Sequence, residues 1–198
     1  MLGVNGGAGA QTLTDPPTLT ATEVRQIAKR LQLGGYVLYF RHLATRQDQE
    51  DSQPVDLSNC ARQRNLSNEG IAQGRAISQA FLKLRIPLGE VISSPFCRTL
   101  DTAKLIAGKA SANPDLFFAI SLTAAEKERK ATALRALLAR EPSGQRNLMI
   151  VGHTANLQEA VGLWPKPEGV AYIFRPDGKG NISPVARIEP ATWSEALR

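Results

Sequence analysis

At 198 residues, with 42% hydrophobic and 21% charged side chains, the chain has the size and composition of one soluble globular unit with a sizeable core. Its formal net charge is +6 and its pI about 9.6, yet Lys and Arg form no long block and do not interleave with aromatics, which argues against nucleic acid and for a small anionic ligand. No apolar stretch approaches the ~20 residues of a membrane span.

The first ten residues, MLGVNGGAGA, lack a basic start and an apolar centre but end in Ala8-Gly9-Ala10, the small-x-small pattern of a signal-peptidase site. With the polar, Pro-containing segment that follows, residues 1–19 read as a flexible N-terminal segment carrying the remnant of an export signal. That reading implies a periplasmic or secreted protein; the alternative is a cloning remnant ahead of a disordered tail on a cytoplasmic one. Residues 20–198 read as a single domain.

Thr20 and Glu23 make a capping box, after which Val24, Ile27, Ala28 and Leu31 repeat at helical spacing until Gly34-Gly35. Tyr36 to Phe40 is a continuous apolar strand, followed by a long polar loop over residues 43–65. Ser67 caps a helix to about Leu84 with Ile77, Phe81 and Leu84 on its inner face, and Pro87 ends it before the short strand EVISS. A helix from about Thr99 to Ile106 comes next. A second capping box, Thr123 with Glu126, opens a helix whose Leu134, Leu137 and Leu138 point inward. Strand LMIV, helix ANLQEAVGL, strand VAYIF and a last strand near PVARI complete the order α-β-α-β-α-α-β-α-β-β.

Alternating helices and continuous apolar strands predict a three-layer α/β/α sandwich with a mostly parallel central sheet. In such sheets ligands sit beyond the carboxyl ends of the strands. The only two histidines, His42 and His153, each lie just past the end of a predicted strand, and SSPFCR follows a third. Arg41, His42, Arg98 and His153 therefore converge on one crevice. Guanidinium forks match phosphate oxygens bidentately. A neutral imidazole among them can attack phosphorus and split phosphoryl transfer into two steps. A zinc site built from His42, His153, Cys60 and Cys97 is the rival reading, but no C-x-x-C or H-x-x-x-H spacing occurs and the two arginines would repel the cation.

At these residues the chain resembles the histidine phosphatase superfamily, also called phosphoglycerate-mutase-like. RHLATR is similar to its Arg-His-Gly/Ala-x-Thr signature through Arg41, His42 and Thr45, LSNEGIAQG to the Leu-Thr-x-x-Gly-x-x-Gln segment, SSPFCRTLDTAKLI to Ser-Ser-Pro-x-x-Arg-x-x-x-Thr-Ala, and IVGHTANL to the late Gly-His element. The resemblance runs in order from about Tyr36 to Phe174. It implies a phosphohistidine mechanism with His42 as nucleophile, Arg41, Arg98 and His153 binding the phosphoryl group, a small phosphorylated substrate, and neither metal nor cofactor. Compact exported bacterial members acting on lipopolysaccharide-core heptose phosphate are similar in length. They also share a helix ahead of the signature strand.

Two departures stand out. Leu43 replaces the signature glycine and is expected to narrow the pocket wall. Thr154 stands where some members carry an acid, which leaves Glu126 and Glu168 as candidate general acids, or no dedicated acid at all. A phosphomutase and a non-catalytic anion-binding module on the same fold are the competing functions. The even cysteine count, read with the export remnant, predicts a Cys60–Cys97 disulfide.

Overall fold

The computed structural model describes residues 12–118, 120 and 122–198, so Ala8-Gly9-Ala10 lies outside the described residues. The strands are β1 (Val37–Arg41), β2 (Leu88–Ser93), β3 (Ser111–Ala112), β4 (Asn147–Gly152), β5 (Ala171–Pro176) and β6 (Ile182–Ile188). The helices are α1 (Ala21–Leu31), α2 (Asn68–Lys83), α3 (Cys97–Ala107), α4 (Ala124–Leu138), α5 (Thr154–Val161) and α6 (Pro190–Glu195). One six-stranded sheet runs in the order β3-β2-β4-β1-β5-β6. Pairings among β3, β2, β4 and β1 are parallel, and those of β5 with β1 and with β6 are antiparallel.

Burial on both faces explains why the central strands read as unbroken apolar runs. Leu38, Phe40, Met149, Val151 and Ile173 point to one face, where they meet Val24 and Leu31 of α1, Ile77 and Phe81 of α2, and Trp193 of α6. Val37, Tyr39, Leu148, Ile150 and Tyr172 point to the other, against Leu134 and Leu138 of α4 and Leu157 and Val161 of α5. Alternate residues of a single strand thus feed two separate cores. Both predicted capping boxes are present, with the Glu23 carboxylate accepting from Thr20 N at 2.8 Å and that of Glu126 from Thr123 N at 3.0 Å.

Three features depart from the sequence expectation. Strand β3 has two residues, too few to carry a periodic signal. Helix α6 is six residues long with Pro190 in its first turn, and it is fixed by tertiary packing: the Trp193 ring lies 4.9 Å from that of Phe81 and 6.5 Å from that of Phe40. The described part of the segment expected to be flexible, residues 12–19, is instead docked on the fold. Leu13 N donates to Val161 O at 2.9 Å, Leu19 N to Arg187 O at 2.9 Å, Arg187 N to Pro17 O at 2.9 Å, and Tyr172 Oη to Asp15 Oδ1 at 2.9 Å. The edge of β6, with Val161 at the end of α5 and Tyr172 of β5, supplies these partners, which a local reading of a polar, Pro-containing segment cannot detect. Among the described residues no helix is long and apolar enough to cross a membrane.

Candidate active site

The carboxyl ends of β1, β2 and β4 lie side by side and deliver Arg41-His42, Ser93-Ser94 and Gly152-His153 to one place. The turn after β1 is fixed by backbone bonds: His42 N donates to Gly152 O at 3.0 Å and Gly169 N to His42 O at 2.8 Å. Helix α2 holds the residues that follow. Ser67 N donates to Ala44 O at 2.9 Å, and the Gln73 side-chain oxygen accepts from Ala44 N at 3.1 Å. That approach requires Gly70, because a Cβ there would stand 2.1 Å from Ala44 O. The LSNEGIAQG segment is therefore a clamp on the backbone that carries His42.

His42 and His153 are buried, with ring centroids 5.5 Å apart. His42 Nδ1 is 2.9 Å from Leu43 O, and a carbonyl only accepts, so the proton is on Nδ1 and the Nε2 lone pair is free. Burial, then the Arg98 charge, holds both imidazoles well below the usual histidine range, so both are neutral at pH 7. His153 Nε2 is 2.9 Å from Ser94 Oγ, and its carbonyl accepts from the buried Tyr39 phenol at 2.7 Å. The Arg98 side chain is 1% exposed, its guanidinium carbon 4.5 Å from the Phe96 ring centre. Phe96 also packs on His153, centroid to centroid at 5.0 Å, so one aromatic ring aligns two members of the site. Burial lowers the pKa of the Arg41 and Arg98 guanidiniums, and neighbouring carboxylates oppose it. Among the described residues Arg41 Nε, Arg98 Nε and His153 Nδ1 are buried without a protein partner, and the two guanidinium N–H groups are donors of the kind an anion satisfies.

The loop over residues 43–65 supplies members of the site that sequence reasoning missed. Asp51 Oδ1 accepts from Arg98 Nη1 at 2.8 Å and from Arg64 N at 3.0 Å. Arg64 is a third guanidinium, 3.7 Å from Glu168 Oε1, and its charge bears on both histidines. Gln63 Oε1 accepts from Cys97 N at 2.9 Å, beside a disulfide that joins Cys60 to Cys97 across a separation of 37 residues. Neither sulfur is therefore a free thiolate for the zinc site weighed from the sequence. Among the described residues no cluster of His, Cys, Asp and Glu is arranged to hold a metal ion.

The two candidate acids part company. Glu126 is exposed and spent on its capping box, with its carboxylate 2.6 Å from Thr123 Oγ1; no described contact joins it to Arg41, His42, Arg98 or His153. Glu168 is in the site. It accepts from Arg41 Nη2 at 3.2 Å, from Thr45 N at 2.9 Å and from Thr45 Oγ1 at 3.0 Å. Topology brings it there: β5 runs antiparallel to β1, so the residues before β5 lie beside the residues after β1. Leu43 does not wall the pocket as expected. Its side chain is fully buried in the core, in line with Leu105 and Gly74 of the neighbouring helices. Thr154 is the first residue of α5, next to His153.

This arrangement, a mixed sheet with two imidazoles and two arginines at the carboxyl ends of its parallel strands, is the phosphoglycerate-mutase-like histidine phosphatase fold. Solved structures that share it include the protein histidine phosphatase SixA complexed with tungstate, 18% identical with a TM-score of 0.57 over 79% of this chain and 97% of that one. A phosphoserine phosphatase variant from Entamoeba histolytica in complex with phosphoserine is 14% identical, with a TM-score of 0.57 over 79% and 98%. The ecdysone phosphate phosphatase of Bombix mori in complex with tungstate is 14% identical, with a TM-score of 0.57 over 79% and 93%. No protein-family model matches the chain. No curated protein matches it in sequence.

Proposed function

We propose that residues 20–198 form a single phosphatase domain that hydrolyses a small phosphomonoester through a phosphohistidine on His42. The observation that carries this reading is the Nδ1–H bond from His42 to Leu43 O, which leaves an unprotonated Nε2 in a site ringed by arginines. Nε2 attacks phosphorus and the bond to the ester oxygen breaks. Arg41, Arg98 and His153, joined by Arg64, hold the phosphoryl oxygens as charge spreads over them. Phosphoryl oxygens take over Arg41 and Thr45 from Glu168, and the freed carboxylate takes the proton that a phosphomonoester monoanion brings with it, passes it to the leaving oxygen, and then receives one from the attacking water. Water attack at phosphorus releases phosphate and restores His42. The Cys60–Cys97 bridge supports an oxidising compartment, periplasmic or secreted.

Brief reaction with a labelled phosphomonoester should leave acid-labile, alkali-stable label on His42, and His42→Ala should abolish p-nitrophenyl phosphate turnover. Label on Ser93 or Ser94 would end the phosphohistidine scheme. Turnover by neither protein would favour the anion-binding module.

A further inference from the structure

Next to the phosphoryl site lies a cleft of about 1190 Å³ between the signature loop, α2 and α6. Thr45 and Glu168 line it and bond to each other, so they form the partition between the cleft and Arg41. Whatever hangs from a phosphoryl group held by Arg41 and Arg98 has this cleft to enter. Part of its wall is apolar: Leu66, Ala72, Ala76, Pro167, Pro190 and Ala191.

The charges of the wall run against the composition of the chain. The protein carries 24 Lys and Arg against 18 Asp and Glu, whereas the cleft is lined by Asp48, Glu69, Glu168 and Glu189 and by one cation, Arg46. That arginine is already engaged: its Nε and Nη2 donate to Asp48 at 3.1 and 2.6 Å. Lys166, two residues before Glu168, sets its ammonium 5.4 Å from the Trp164 ring centre and does not line the cleft. Glu168 is balanced by Arg41 and Arg64 on the phosphoryl side. Glu69 is left as net negative charge, exposed with only Gln73 as partner, and Glu189 turns a second carboxylate to the cleft while its cation, Arg187 at 3.4 Å, lies outside it. A second phosphate or a carboxylate on the substrate would meet these two carboxylates and, among the described residues, no free cation lining the cleft.

We infer that the cleft is the leaving-group site, and that it selects monophosphates whose organic part is neutral or cationic and rejects those bearing a second acid. Glu69 and Glu189 are the specificity-determining residues. They reject by repulsion, and hydroxyl or ammonium groups can donate to them. The inference rests on the phosphatase reading for the position of the phosphoryl group. It also weighs against a mutase with a bisphosphorylated intermediate, which needs a second anion clamp.

The test uses a matched pair, sorbitol 6-phosphate and 6-phosphogluconate, which share a six-carbon chain and differ at its far end in CH2OH against carboxylate. Calorimetric titration into His42→Ala protein reads binding without turnover. The neutral ligand should bind about five- to twentyfold more tightly at low salt, with the ratio shrinking as salt screens the cleft. In protein that also carries Glu69→Lys and Glu189→Lys the order should reverse. Equal binding, tighter binding of the gluconate, no binding of either ligand, or a ratio unmoved by the lysines would each overturn the inference. Wild-type turnover of p-nitrophenyl phosphate tests the phosphatase reading separately.

Discussion

Removing the Cys60–Cys97 bridge tests how the loop over residues 43–65 is held, because that loop carries Asp51, Gln63 and Arg64 to the site. The closed loop spans 37 residues, for which the chain-entropy relation gives about 4 kcal/mol of stabilisation. At about 2.1 cal/mol/K per residue of unfolding entropy, a loss of that size lowers Tm by about 10 °C in a chain of this length. Thermal unfolding followed by circular dichroism, for wild type and for the Cys60→Ala/Cys97→Ala protein, measures it. The same variant should raise KM for p-nitrophenyl phosphate more than it lowers kcat, because Arg98 stays on α3 while the loop that carries Arg64 to the site is loosened. A Tm drop below about 2 °C, a small fraction of the chain-entropy value, would show that noncovalent contacts already close the loop, and the entropic argument would fail.

Two further expectations concern the clamp and the imidazoles. Gly70→Ala puts a methyl against Ala44 O and should cost about 1–3 kcal/mol of stability, with a more than tenfold loss of kcat/KM as the His42 backbone shifts; urea unfolding and steady-state kinetics read the two together. Both histidines are neutral in the fold and protonate more readily unfolded, so stability is full above their ordinary range near 6.5 and should fall below it by up to about 1.4 kcal/mol per pH unit for each. A urea midpoint unchanged between pH 7.5 and 5.5 would contradict the burial assigned to them.

What was legible in the sequence is what local rules encode. Capping boxes at Thr20 and Thr123, the two-sided apolar strands, and His42 and His153 at strand ends could be read because the signal and its cause lie within a few residues. Glu168 was ambiguous for a topological reason. The sequence predicts a mostly parallel sheet, and only the antiparallel turn of β5 puts residue 168 beside Thr45. Asp51 and Arg64 carry no local signature, since their roles depend on a loop folded back across α3 and tied at Cys97. Leu43 misled in the other direction: a bulky residue beside His42 suggests a narrowed pocket, but the backbone turn sends its side chain into the core.

On the phosphatase reading, the two carboxylates at the arginines bear on turnover as much as the arginines do. Arg41, Arg64 and Arg98 would by themselves present three positive charges to a phosphate dianion, against which Asp51 and Glu168 set two negative ones. Burying guanidiniums without partners is costly, and the two acids meet part of that cost before any ligand arrives. They also limit how tightly the free product can bind. An enzyme gains nothing from interactions equally strong in substrate, transition state and product, and a site of three uncompensated arginines would hold inorganic phosphate against release. Asp51 is bonded to a side chain that is 1% exposed and trims the field of Arg98. Glu168 sits at the edge of an open cleft and bonds the same Arg41 and Thr45 groups that a phosphoryl oxygen would take. Exchange between that carboxylate and phosphate conserves the hydrogen bonds of the site, so phosphate can enter and leave without stranding a buried donor.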